Sequence, residues 1–232
     1  LSLDWSPEQI SNALKTRESF TMSHETMYKH ILQDKKNGGK LYKHLRIMPK
    51  LRRKRYNSKD SRGVLRGKRH ISERPAIVET RSELGHWEGD TIMGPSRYDS
   101  VLTLVERKSG FVIIKKLKNQ KSDHVAHAAI RAIKRHAQKF KTITLDNGTE
   151  FHRYKKLEEA FDLKVYFAAP YHSWERGTNE NTNGLIRQYL PRRVSMKDVD
   201  QNRCNWIAHR LNSRPRKRHE FKTPLEVYCE DG

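Results

Sequence analysis

The stretch that most limits how this chain can fold runs from His86 to Leu117, where HWEGDTIMG, DSVLTLVERK and GFVIIKKL form three apolar runs of strand length. Val, Ile, Leu and Thr dominate them, and Lys108-Ser109-Gly110 between the second and third signals a turn. Adjoining strands make a sheet, and a sheet needs cover. The next segment supplies it, because residues 122 to 138 carry Val125, Ala128, Ala129, Ala132 and Ile133 on one side of a helix. A fourth strand is expected over 141 to 146, with Ile143 and Leu145 alternating with threonines and Asn147-Gly148 ending the run after Asp146. A helix near 154 to 161, a short strand in KVYFAA, a helix beginning near Ser173 and a last helix near 198 to 212 complete the pattern. This alternation predicts an α/β class with a mixed sheet covered on both faces.

Residues 1 to 45 read as a small helical unit. Ser6-Pro7-Glu8-Gln9 is a helix start with a Ser cap, Pro at the first helical position and Gln three residues after the cap. A second helix starts at Ser23, with Met27 and Ile31 one turn apart, and the pair suggests a helix-turn-helix DNA-binding module. His24, Glu25, Tyr28 and Lys29 are then the side chains able to reach DNA. Residues 46 to 74 hold 12 Lys or Arg against two acids, and hydrophobic periodicity is lost. Such a run is expected to be extended alone and to order along a phosphate backbone, with Arg52, Arg53, Lys54 and Arg55 at its centre. The expected organisation is therefore a module over 1–45, a basic linker over 46–80, and an α/β domain with a basic extension over 81–232.

Charge supports that reading. Forty-eight Lys and Arg against 27 acids give a net charge of +21, which points to a polyanionic partner. No stretch approaches the roughly 20 apolar residues that span a bilayer, so no membrane partner is expected. Two cysteines without CxxC spacing exclude a disulfide framework or a cysteine-rich zinc site, and a reducing cytoplasm fits. His124 and His127 lack Cys or acidic companions at ligand spacing and are expected to face solvent.

Three acids occupy unusual places. Asp90 sits on the first predicted strand, Asp146 ends the fourth, and Glu180 rides the helix that follows, with 33 residues between the last two. Hard divalent cations need clustered anionic oxygens, and a pair of such cations suits phosphoryl transfer. This is the DDE pattern of transposases and retroviral-type integrases. GHWEGDTI, LVERKSGF, LDNGTEF, RGTNENTNGLIRQYLP and LNSRPRK, in this order, resemble the bacterial insertion-sequence-thirty transposases, from about Trp5 almost to the C-terminus.

The resemblance implies a ribonuclease H-like fold, with Asp90, Asp146 and Glu180 as catalytic and metal-binding residues. It implies two Mg²⁺ ions, with Mn²⁺ able to substitute, and double-stranded DNA partners, namely terminal inverted repeats and target DNA. Cleavage at the repeats, joining of the 3′-OH ends to target, a homodimer or higher oligomer on DNA, and a bacterial nucleoid location follow from it. It also implies a first DNA-binding module upstream of Leu1. A regulator with an inactive core is the alternative, disfavoured by the three intact acids. Glu88, on the same strand face as Asp90, is expected to support the metal ligands from behind, as is Asn147. Arg187, two helical turns beyond Glu180, is placed to meet a phosphate.

Overall fold

The computed structural model describes residues 1–17, 21–45, 67–96, 99–169 and 176–230. Most of the basic run, including Arg52, Arg53, Lys54 and Arg55, lies outside them, as does 170–175 with the expected helix start at Ser173. The chain divides into two compact units, one of residues 1–60 with 213–227 and one of residues 61–212 with 228–232.

In the first unit, helix α1 (Pro7–Arg17) opens on a reciprocal cap, with Ser6 N–H donating to Gln9 Oε1 (2.9 Å) and Gln9 N–H to Ser6 Oγ (3.3 Å). Helix α2 (His24–Lys36) is capped by Ser23, whose side chain accepts from Glu25 N–H. Ala13, Met27 and Ile31 are buried, whereas His24, Glu25, Tyr28 and Lys29 are exposed. The two helices are consistent with a helix-turn-helix module. The basic segment after Ser213 belongs to this unit rather than to the catalytic domain, where the sequence pattern had put it. Gln9 Nε2 donates to Pro215 O (2.6 Å), and Lys217 Nζ pairs with Glu8 (2.8 Å). Its few apolar residues carried no periodicity from which this partner could be read.

The second unit is built on a six-stranded sheet in the order β1-β6-β5-β2-β3-β4. Its strands are β1 (Arg69–His70), β2 (His86–Met93), β3 (Ser100–Glu106), β4 (Val112–Leu117), β5 (Thr142–Leu145) and β6 (Lys164–Phe167). β2, β3 and β4 form an antiparallel meander, and β1, β6, β5 and β2 pair in parallel. Helices α3 (Ile77–Thr80), α4 (Ser122–Ile133) and α5 (Lys155–Ala160) precede or interleave with these strands. After β6 come α6 (Gly177–Ile186) and α7 (Gln201–Asn212), and α8 (Pro224–Glu230) runs from residues of the first unit into residues of the second.

β1 corrects the expected linker boundary. Residues 69–80 are part of the sheet unit: Arg69 pairs with Glu158, Arg74 is buried and donates to Thr144 Oγ1 (2.8 Å), and Val78 is fully buried. Positive charge read as solvated chain because the acids that neutralise it come from distant segments.

Apolar cores lie on both faces of the sheet. On one, α4 and α5 cover Trp87, Leu102, Leu104, Ile143, Leu145 and Val165. Trp87 stacks on Phe140 (centroids 4.1 Å apart), meets Tyr228 edge-on, and donates its indole N–H to Lys139 O (2.7 Å). On the other face Ile92, Val101, Val105, Val112 and Ile114 pack beneath α6 and α7, through Leu185, Ile186, Cys204, Ile207 and Leu211. β2 thus turns Trp87 to one side and Glu88, Asp90 and Ile92 to the other. Among the described residues no helix is long and apolar enough to cross a membrane.

Candidate active site

β2 and β5 run parallel and adjacent, with Trp87 opposite Ile143 and Glu88 opposite Thr144. Continuing that register past the end of β5 sets Asp90, midway along β2, beside Asp146, the residue that follows β5. The turn after β5 is shaped around the carboxylate. Gly148 N–H donates to Asp146 Oδ1 (2.9 Å), and a Cβ at Gly148 would stand 2.3 Å from Glu150 Oε2 and 2.9 Å from Asp146 Oδ1. A side chain there would make both carboxylates shift. Asn147 fastens this turn, donating to Ala168 O (2.6 Å) and accepting from Lys68.

Asp90 is held from several sides. Its Oδ1 accepts from Thr91 N–H (2.8 Å) and its Oδ2 from Asn183 Nδ2 (2.9 Å) on α6. Thr103, opposite Asp90 on β3, places its hydroxyl 3.2 Å from Asn183 Oδ1 and 3.3 Å from Asn179 Oδ1. Glu180 lies in the first turn of α6, between those two asparagines, and its side chain is exposed. Glu88 is fully buried under the same helix and paired with Arg107. Arg187, at the end of α6, donates to Met93 O (2.8 Å) and Leu190 O (3.4 Å), which ties the helix exit to the end of β2.

Arg176, just before α6, carries a cation to the paired acids. Its guanidinium stands 3.8 Å from Asp90 Oδ1 and 3.5 Å from Asp146 Oδ2, and donates to Gly89 O (3.1 Å). Glu150 accepts from Thr91 Oγ1 (2.9 Å) and adds a further carboxylate beside the pair. Neither contact had a sequence signal beyond closeness to the motif acids. Among the described residues no three His, Cys, Asp or Glu side chains cluster tightly enough to hold a metal ion together. The Asp90–Asp146 pair itself fits a hard divalent cation: both are oxygen donors, and the Arg176 guanidinium already stands in as a positive charge reaching both.

Burial pushes the Asp90 carboxyl up to about 6; Arg176 pulls it back, and Asp146 and Glu150 add to the rise. An aspartate with a folded pKa above its unfolded value binds its proton more tightly when folded. The associated stability is complete below about pH 4 and is lost as pH rises through about 6. Asp90→Asn, which cannot ionise, should therefore melt above the parent protein at pH 7 and level with it near pH 4. Thermal denaturation at the two pH values checks this, and an Asp90→Asn melting point that shows no gain at pH 7 would contradict it.

A family model described as integrase core domain matches residues 81–173, which takes in both aspartates and stops short of Glu180. The transposase for insertion sequence element IS4351 of Bacteroides fragilis is 41% identical over 98% of this chain and 70% of its own length. The chain belongs to the IS30 family of transposases. Transposase InsI for insertion sequence element IS30A of Escherichia coli is 37% identical over 98% of the chain, and the chain spans 62% of that protein. The transposase for IS1086 of Cupriavidus metallidurans is 36% identical over 99% of the chain and 70% of its own length. The catalytic core domain of BIV integrase superposes with a TM-score of 0.50 at 19% identity, covering 64% of this transposase and 95% of that chain. A chain of the simian T-cell lymphotropic virus intasome gives 0.52 at 19% identity, covering 62% and 54%. These likenesses show the ribonuclease H-like integrase fold. Family membership makes the chain a DDE-type DNA-cleaving enzyme that uses divalent metal and acts on DNA.

Proposed function

We propose that this transposase cleaves at the terminal inverted repeats of its mobile element and joins the freed 3′-OH ends to target DNA. The observation that carries the proposal is that Asp90 on β2 and Asp146 just after the neighbouring β5 are both within reach of one guanidinium. Asp90 and Asp146 would hold two Mg²⁺ ions, or Mn²⁺ in their place, with Glu180 completing the coordination of one. Bound there, divalent cations supply charge stabilisation to the scissile phosphate and favour ionisation of the attacking water or hydroxyl.

The protein's own part is positional. Asn183 holds Asp90 and the Gly148 amide holds Asp146, while Glu180, in the first turn of α6, would complete the set. Arg176, once relieved of the carboxylates, is a donor of suitable charge for a phosphate oxygen. In-line displacement needs no covalent protein–DNA link, so the same acids would serve both the hydrolytic and the joining step.

The N-terminal helices would read the repeats through His24, Glu25, Tyr28 and Lys29, and Arg52, Arg53, Lys54 and Arg55 would track phosphates. Two element ends require two active sites, so a homodimer or higher oligomer on DNA completes the proposal. The test is a cleavage and joining assay on oligonucleotides bearing the element ends, with and without Mg²⁺. Absence of metal-dependent products on those ends, with DNA binding intact, would overturn it.

A base contact and a phosphate contact are separable. Loss of a specific base contact costs about 1–3 kcal/mol and relaxes preference at one position, whereas loss of a phosphate contact weakens all sequences alike. Glu25→Ala should reorder a set of mutated repeats in competition binding, and Lys50→Ala should lower every affinity without reordering them. An unchanged ranking for Glu25→Ala would remove that residue from the reading set.

A further inference from the structure

We propose that Glu88 and Arg107 form a buried clamp that positions α6, the helix that carries Glu180, against β2 and Asp90. The inference rests on the transposase reading of the site and concerns residues that do not touch DNA or metal.

Helix α6 begins without a side-chain cap of its own, since Arg176 makes none. The cap comes from the sheet: Glu88 Oε2 accepts from Asn179 N–H at 2.8 Å. A carboxylate suits that place, because the first amides of a helix carry partial positive charge. The other oxygen, Oε1, takes the Arg107 guanidinium. Arg107 is itself buried, and its remaining donors go to Val78 O (3.1 Å) and Glu79 Oε2 (3.0 Å). Glu79 also accepts from the buried Arg74, which reaches Thr144 Oγ1 on β5. A fully buried carboxylate is tolerated only when paired and hydrogen-bonded, and here every link of the chain from Arg74 to Asn179 is made.

The spacing explains why two anchors suffice. Glu88 and Asp90 are two residues apart on one strand face, a rise of about 6.6 Å. Asn179 and Asn183, their partners, are four residues apart on the helix, a rise of about 6 Å. One turn of α6 therefore lies in step with β2, held at one end by Glu88 and at the other by Asp90. Glu180 follows the first anchor directly. Its height above the sheet is set by Glu88, and its rotation about the helix axis is set by both contacts together. The segment from Arg74 to Glu79, which sequence patterning assigns to a linker, thereby supports the third acid of the site.

The test uses Mn²⁺ binding to the full chain, followed by electron paramagnetic resonance of the free ion, alongside binding and cleavage of repeat DNA. Glu88→Gln keeps an acceptor for Asn179 but turns a neutral amide toward Arg107. It should weaken Mn²⁺ binding by about 10- to 100-fold, the usual cost of losing a partner that orients a metal ligand, and leave DNA affinity unchanged. Arg107→Lys, which cannot fork between Glu88 and Glu79, should shift Mn²⁺ binding the same way.

Leu211→Ala, in the core under α7, is the stability control: it should lower the melting point without moving Mn²⁺ affinity. Should the Glu88 and Arg107 variants fail to fold, Glu79→Gln, on a more exposed side chain, should give a smaller shift of the same sign. Parental Mn²⁺ affinity in folded Glu88→Gln, or in Glu79→Gln if only that variant folds, overturns the clamp. A parent protein that binds Mn²⁺ yet never cleaves repeat DNA overturns the transposase reading and leaves the clamp standing.

Discussion

Asp90→Ala, Asp146→Ala and Glu180→Ala should each abolish metal-dependent cleavage and joining while leaving affinity for repeat DNA in place. The expected loss is at least about 10²- to 10³-fold in rate, the scale of removing one preorganised electrostatic contact to a phosphoryl or acyl transition state. Asp90 and Asp146 stand side by side on neighbouring strands, so removing either leaves only the other paired with Arg176. That pairing favours an arginine–carboxylate contact over a bound divalent ion. Single-turnover cleavage of pre-nicked and intact ends separates the hydrolytic step from the joining step. Robust joining by any of the three variants would strike that residue from the catalytic set.

Trp87→Ala should destabilise the sheet unit by about 3–5 kcal/mol, the range for removing a fully buried aromatic side chain from a core. Trp87 has no exposed surface, stacks on Phe140, meets Tyr228 at its edge and bonds Lys139 O. Its loss therefore opens a cavity and removes a buried hydrogen bond at once. It also sits one residue before Glu88, so local relaxation would reach the clamp under α6. Urea denaturation of the parent and variant checks the magnitude. A loss below about 1 kcal/mol would mean the neighbouring rings collapse into the space.

Much of this architecture could be read in the chain, and the rest was hidden for definable reasons. β2 to β6 were legible because buried strands need apolar runs bounded by turns, and α1 because its capping residues sit side by side in sequence. Asp90, Asp146 and Glu180 stood out because the first two ride or end legible strands and the third rides the helix that follows. β1 was not, since two residues inside a run of positive charge carry no alternation. The cap of α6 was not legible for a related reason: it is Glu88, 91 residues from the Asn179 amide that it accepts. Arg176 and Arg107 act through partners brought by the sheet, and pairwise contacts of that separation leave no trace in local spacing. Glu150 meets Thr91 across 59 residues and was hidden for the same reason.

The make-up of the first unit has a consequence for anyone who wants to retarget this enzyme. It is assembled from two stretches that are far apart in the gene, residues 1–60 and 213–227. Gln9 is bonded to Pro215 and Glu8 to Lys217, so the first helix has part of its neighbourhood encoded near the far end of the chain. Grafting a foreign 1–60 segment would confront these contacts with mismatched side chains, and a single proteolytic nick between residues 46 and 66 would not set the unit loose. A chimera that exchanges DNA preference must carry both stretches from the same donor.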